Sequence, residues 1–243
     1  MRSFRKSVSS ILIVSLVIII FASSFSHYLF NEDFYEEEYE KQGSNDRVGK
    51  NVTQAATYVL FQYYRNKVDI SGINAFTDEE KSHLADVKKL IAIGYLLYSF
   101  AVAACILCVL YFLKQNYTPM HILKEKSNRK KKKSKHRLFD YEGILKDLAF
   151  PLQIASMITI VLLLVKGILF ISGGFSVVFT GFHQIFFPMG NWQFPDNYLL
   201  IQLYPQGFFL DASILVFRRT LIVAFIGLVI SLGATLALPK KKT

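Results

Sequence analysis

The stretch KEKSNRKKKKSKHR, residues 124–137, decides how this chain is organised. It is too charged to be buried, yet apolar sequence flanks it on both sides. Residues 90–113 precede it and residues 148–171 follow it. A transmembrane helix needs about 20 mostly apolar residues, and both segments qualify. Two more segments of this kind lie further out, at 11–29 and 214–238. The chain has 243 residues and is 52% hydrophobic, too apolar for an ordinary soluble domain. The reading is an all-α transmembrane protein, a four-helix membrane bundle.

Charge then sets the topology. Arg2, Arg5 and Lys6, the 124–137 run and the terminal lysines fall on one side of four spans. The positive-inside rule makes that side cytoplasmic. Residues 31–89 carry twelve acids against eight bases, and residues 172–213 carry no Lys or Arg and two Asp. Both connections are therefore expected outside, forming a small extracytoplasmic cap from the 1–2 and 3–4 connections. The expected division is a cytoplasmic N-terminus 1–10, first span 11–29, extracytoplasmic segment 30–89 and second span 90–113. A basic cytoplasmic loop 114–147, third span 148–171, interfacial or re-entrant loop 172–213, fourth span 214–238 and cytoplasmic tail 239–243 follow. Both termini are expected in the cytoplasm. The basic N-terminus and the small residues after the first apolar run also fit a signal peptide; the segment is read as a retained anchor.

The same topology accounts for the net charge of +10. Anionic lipid and orientation explain the basic runs, so nucleic acid is not expected as a partner. Cys105 and Cys108 form a C-x-x-C spacing inside an apolar helix, where two small buried hydrophobes are the better reading than a redox or metal pair. No Gly-rich phosphate loop or G-x-S-x-G elbow is present, and no cofactor is expected.

The first outer segment opens with NEDFYEEEYEKQGSNDRVGK, 31–50, read as a solvated loop or short irregular strands. Residues 52–64 mix periodicities, leaving helix and strand both open. Thr77 and Glu80 then form a capping box, T-x-x-E, before an apolar run. A helix is expected to start near Asp78 and run unbroken into the second span. His83 stands seven residues before Leu90, about 10 Å above the hydrocarbon edge at ~1.5 Å per residue. Glu79 at i−4 and Asp86 at i+3 share its helix face. Either carboxylate is a candidate to fix the tautomer, leaving the other ring nitrogen as a general base. The bland alternative is a solvated turn with an incidental histidine. No second His or Cys lies at ligand spacing on this helix, so no metal is expected there.

The second outer segment is unusual. GFHQIFFPMGNWQFP, 181–195, holds the chain's lone tryptophan and a histidine among phenylalanines. Its prolines and glycines argue against a through-going helix. It suits a segment lying at the membrane interface. An imidazole among Phe side chains needs a polar neighbour, which the His83 helix, Asn191 or a bound substrate would supply. Lys166, Arg218 and Arg219 interrupt the third and fourth spans near their outer ends. They either snorkel to the headgroups or serve function; of the two adjacent arginines one points inward at most.

The motifs DEEKSHLADVKKL, 78–90, and FHQIFFPMGNWQFPDNYLLIQLYPQGFFLDA, 182–212, resemble the lipoprotein intramolecular transacylase (Lit) family of bacterial four-span membrane proteins. The resemblance covers essentially the whole chain, and the second motif is the more specific. It implies an enzyme of the bacterial cytoplasmic membrane whose active site faces the extracytoplasmic side. The implied substrate is a diacylated lipoprotein. The sn-2 acyl chain of its diacylglyceryl-modified N-terminal Cys moves onto the same residue's α-amine, leaving a lyso-form lipoprotein. His83 and His183 carry over as catalytic residues because both lie inside the matching motifs. His83 is favoured as the base, supported by Asp86 or Glu79. Arg218, Lys166, Asn191 and Trp192 are candidates to bind substrate or stabilise an oxyanion. Direct transfer and an acyl-histidine intermediate both stay open. The rival reading is a non-enzymatic accessory or membrane lipid-binding protein. The two differ in geometry: the enzyme needs His83 and His183 on one lipid-accessible cavity at the outer interface, with a carboxylate within hydrogen-bond reach of a histidine.

Overall fold

A computed structural model describes residues 2–117 and 139–238. The basic run 124–137 and the tail 239–243 lie outside the described residues. Among those described no β-strand is present, and the helices are α1 Arg2–Leu29, α2 Glu32–Lys41, α3 Ser44–Val48, α4 Lys50–Tyr64, α5 Asp78–Gln115, α6 Tyr141–Phe186, α7 Leu199–Leu203 and α8 Gln206–Leu236. Four helices are long and apolar enough to cross a membrane: Ser3–Leu29, Asp78–Gln115, Tyr141–Ser172 and Gln206–Leu236. The protein is thus an all-α, multi-pass membrane protein. Its backbone polar groups are satisfied within each helix, as a hydrocarbon solvent demands.

The chain forms two compact units. One comprises Met1–Phe21, Tyr98–Val161 and Leu221–Thr243. Its core is Val8, Leu12, Cys108 and Phe112. Cys105 and Cys108 are free thiols, Cys108 buried among those residues. Arg5 pairs with Asp147, which also accepts from the Asn116 amide at 2.8 Å. Tyr117 and Phe139 form an isolated antiparallel bridge, and the N–H of Asp140 donates to the Asn116 carbonyl at 2.9 Å. Small residues let α6 and α8 approach closely: a methyl on Gly227 would lie 2.7 Å from the Ser156 hydroxyl. Ala155, Ser156 and Ala224 are fully buried there, the pattern by which helices pack in lipid.

The other unit comprises Ala22–Leu97 and Leu162–Thr220 and holds the segments expected to be extracytoplasmic. The acidic stretch 31–50 is helical, not a loop. Asn31 caps α2, its side chain accepting the Phe34 N–H at 3.0 Å, and Glu32 and Asp33 occupy the first turn, where the helix dipole favours acids. Residues 52–64 are helical as well. Ala56, Leu60 and Tyr63 of α4 pack on Ile70, Phe76, Leu84 of α5 and Leu200 and Leu203 of α7. A second cluster joins Phe34 and Tyr39 of α2 to Phe208 of α8. Polar clamps accompany the apolar contacts. Ser44 donates to the Leu203 carbonyl at 3.0 Å, and Arg47 to the Gln202 carbonyl at 3.0 Å. Gln42 and Lys41 both donate to Asp211, at 2.8 and 2.7 Å.

The third span-forming helix, Tyr141–Ser172, ends beside the expected Ile171. Just past it the chain bends at Gly174, where φ is 73° and ψ 168°. Only glycine adopts that conformation without strain. Beyond the kink, 175–186, expected as part of an interfacial or re-entrant loop, is helical, and His183 sits on that helix. Leu60, 2% exposed, is central to the α4 core. Leu60→Ala is expected to destabilise this unit by about 2–5 kcal/mol, measured as a lowered Tm of the detergent-solubilised protein.

Candidate active site

Two rigid helices deliver the histidines. The capping box fixes the start of α5: the Thr77 hydroxyl accepts the Glu80 N–H at 3.2 Å, and Glu80 accepts the Thr77 N–H at 2.7 Å. His83 follows one turn later. His183 lies three residues before the end of α6 and is 8% exposed. The imidazoles face one another, with ring centroids 6.2 Å apart and planes 22° from parallel.

Aromatic side chains enclose the pair. Phe187 and Phe194 lie 4.7 and 5.7 Å from His83. Phe179 and Trp192 lie 4.1 and 4.7 Å from His183. The spacing 179, 183, 187 is one helical face, a signal available once 175–186 is read as helix.

Hydrogen bonding distinguishes the two histidines. His183 Nδ1 lies 2.7 Å from the Phe179 carbonyl. A carbonyl only accepts, so Nδ1 carries the proton and Nε2 is left as the acceptor. Burial holds His183 below the ordinary imidazole range, its bond to Phe179 opposing that shift. His83 Nδ1 is buried with no hydrogen-bond partner in the protein, and so is Asn191 Oδ1.

Here the expected support differs from what is found. Neither Asp86 nor Glu79 hydrogen-bonds His83. The shared helix face holds, but tertiary partners take the carboxylate. Asp86 accepts from the Asn191 amide at 2.9 Å and from Lys89 at 2.9 Å. Asn191 also donates to the Ser82 hydroxyl at 3.4 Å. Asp86 therefore anchors the 187–198 loop beside His83. Glu79 instead lines a cavity of about 420 Å³ with Asp78, Ser82, Asn191, Phe194 and Tyr198. A second cavity of about 330 Å³ is lined by Gln184, Phe187, Pro188 and Trp192. Gly190 and Gln193 border both.

The cations are not part of this cluster. Lys166 and Arg218 are exposed and make no hydrogen bond, ion pair or ring contact with the histidines. Of the adjacent arginines Arg219, not Arg218, is the half-buried one, its Nε buried without a partner. Sequence reasoning missed Ser82, Phe187 and Phe194, whose roles depend on the fold of the loop. Among the described residues no three His, Cys, Asp or Glu side chains gather as a metal site.

The family model for lipoprotein intramolecular transacylase Lit matches residues 10–209. The chain belongs to the Lit family. It is accordingly a transacylase, which removes the accessory-protein alternative. Solved Lit structures share the fold. The in meso structure of the membrane integral lipoprotein intramolecular transacylase Lit from Bacillus cereus has 16% identity, covers 97% of this chain and 97% of its own, and superposes with a TM-score of 0.70. A histidine-to-arginine variant of that protein shows 16% identity over 96% of this chain and 92% of its own, with a TM-score of 0.66. A histidine-to-alanine variant shows 17% identity over 96% and 94%, with a TM-score of 0.65. No curated protein matches the sequence.

The lowered His183 value carries a pH signature in this Lit-family chain. As pH falls the unfolded chain takes up its proton first, near the ordinary pKa of about 6.5. The contribution of His183 to stability is fully present above that pH and is lost as pH falls through its lower folded value. The Tm of the solubilised protein is expected to drop between about pH 7 and pH 5, less steeply in His183→Gln. Equal slopes in the two proteins would contradict the assignment.

Proposed function

We propose that this chain moves the sn-2 acyl group of a diacylated lipoprotein onto the α-amine of its N-terminal Cys, using the His83–His183 pair. The reading rests chiefly on one observation: two imidazoles face each other beside two buried polar atoms, His83 Nδ1 and Asn191 Oδ1, that have no partner in the protein. Buried polar atoms are normally satisfied, and a substrate carrying an amine and an ester offers both a donor and an acceptor.

In this mechanism a histidine removes a proton from the Cys amine as its nitrogen attacks the sn-2 ester carbon. A C–N bond forms, and the carbonyl π electrons move to oxygen. The tetrahedral intermediate collapses, breaking the C–O bond to the glyceryl group. The imidazolium returns its proton to the leaving glyceryl oxygen. Products are an amide and a free sn-2 hydroxyl, and no charge or atom is left over. Both reacting ends belong to one molecule, so holding them close supplies a large effective molarity.

The geometry favours His183 Nε2 as the proton acceptor, because the Phe179 carbonyl fixes its tautomer. His83, first read as the base, then serves as its partner in proton transfer. Asp86 acts on the site through Asn191. Trp192 offers an indole N–H beside His183 for the developing oxyanion, whereas Arg218 and Lys166 lack contact with the pair. Charge topology supports a site on the extracytoplasmic face, where the glyceryl esters of a membrane-anchored lipoprotein are found.

Mass spectrometry of a lipoprotein co-expressed with His83→Ala or His183→Ala tests the pair. Each variant is expected to lower the N-acyl, lyso-glyceryl product by about 10²–10⁴-fold, the usual worth of a general acid–base. Wild-type product levels in both variants would sink the proposal.

A further inference from the structure

Glu80 has a second bond that the capping box does not need. One oxygen, Oε2, accepts the Thr77 N–H and completes the box. The other, Oε1, accepts the backbone N–H of Leu200 at 2.7 Å, across 120 residues of sequence. Glu80 is 1% exposed, the most buried carboxylate among the described residues. A carboxylate at such depth is tolerated only when its lone pairs are taken up by donors.

The partner at Leu200 is informative. It belongs to α7, a five-residue helix whose own N-cap, Tyr198, supplies no side-chain cap. An orphan N–H of one helix is thus satisfied from another. The segment 187–198, which carries Asn191, Trp192 and Phe194, leads directly into α7. At its other end it leaves the helix of His183. His83 is three residues beyond Glu80. One carboxylate therefore fixes the spacing between the helix of His83 and the far end of the loop that touches both imidazoles.

We propose that Glu80 is a positioning residue for acyl transfer: by capping α7 from the start of α5 it holds the loop of Asn191, Trp192 and Phe194 against the His83–His183 pair. The catalytic consequence rests on the histidine mechanism proposed above; the structural one does not.

Glu80→Gln tests this with little change of shape. A Gln amide accepts only at its oxygen, so its NH₂ must face one of the two N–H donors and that bond is lost. Thr77→Ala is the matched control: it removes the other half of the box and leaves the Leu200 bond intact. Trp192 is the chain's only tryptophan and lies 4.7 Å from His183, so its fluorescence reads the loop without any chemistry. On a synthetic diacylated lipopeptide Glu80→Gln is expected to lower kcat by about 10²-fold, the scale of a small misplacement of reacting groups, with KM near wild type. Its Trp192 emission shifts and becomes easier to quench with acrylamide. Thr77→Ala leaves both close to wild type.

Wild-type kcat and emission in Glu80→Gln would overturn the proposal. So would an equal kcat loss in Thr77→Ala at equal Tm, which would assign Glu80 to helix stability alone. One measurement needs no variant: in hydrogen exchange on the wild-type chain the Leu200 amide is expected to be protected, and exchange at the rate of a solvated loop overturns the proposal. If Trp192 moves in Glu80→Gln while His83→Ala and His183→Ala both keep full activity, the histidine mechanism fails and the positioning stands.

Discussion

A helix of five residues cannot hold itself together in water, since one turn barely recovers the entropy of its own nucleation. α7 is such a helix, and the site depends on it. Its backbone is gripped from three places: the Glu80 carboxylate on the Leu200 N–H, the Ser44 hydroxyl on the Leu203 carbonyl and the Arg47 guanidinium on the Gln202 carbonyl. Leu200 and Leu203 are buried in the same core as Leu60 and Leu84. Polar grip and apolar burial therefore act on the same few residues. The acidic first connection, which contains no candidate catalytic group before His83, serves as the frame that holds the second.

That frame lets a mostly aromatic surface support polar chemistry. Phenylalanines around His83 and His183 exclude water and hold the imidazoles neutral, which suits proton acceptance. The cost of enclosing them is met differently on each ring. His183 has its Phe179 carbonyl, whereas His83 keeps an unsatisfied nitrogen. Asp86, already occupied by Asn191 and Lys89, acts as the anchor of a loop and not as a direct partner of an imidazole. The pair is thus asymmetric, with His183 tied to its own helix and His83 Nδ1 without a partner in the protein.

The spans were legible because twenty apolar residues have few alternatives in any solvent. The start of α5 was legible because Thr77 and Glu80 are a local device, complete within four residues. Cys108 packs as a small hydrophobe, as its apolar helix implied, though its neighbours Val8 and Leu12 come from α1. What depended on distant chain was harder. The acidic run 31–50 looked solvated by composition, although Asn31 followed by Glu32 and Asp33 is a good helix start. The 172–213 connection read as an interfacial or re-entrant loop, yet beyond the kink at Gly174 it is helical through Phe186. The i, i+3 spacing of His83 and Asp86 put both on one face, but could not foresee Asn191 arriving from 105 residues away to claim the carboxylate. The adjacent arginines were recognised as a split pair, and only packing decides that Arg219 is the more buried.

The bridge between Tyr117 and Phe139, with the neighbouring Asp140–Asn116 bond, joins the ends of α5 and α6. It pins the two ends of the basic connection side by side. With both ends held, the entropy of closing a connection depends only weakly on its length. The register of α5 and α6 is indifferent to its length. Asn116, Tyr117, Phe139 and Asp140 form a clasp between the two helices at this end.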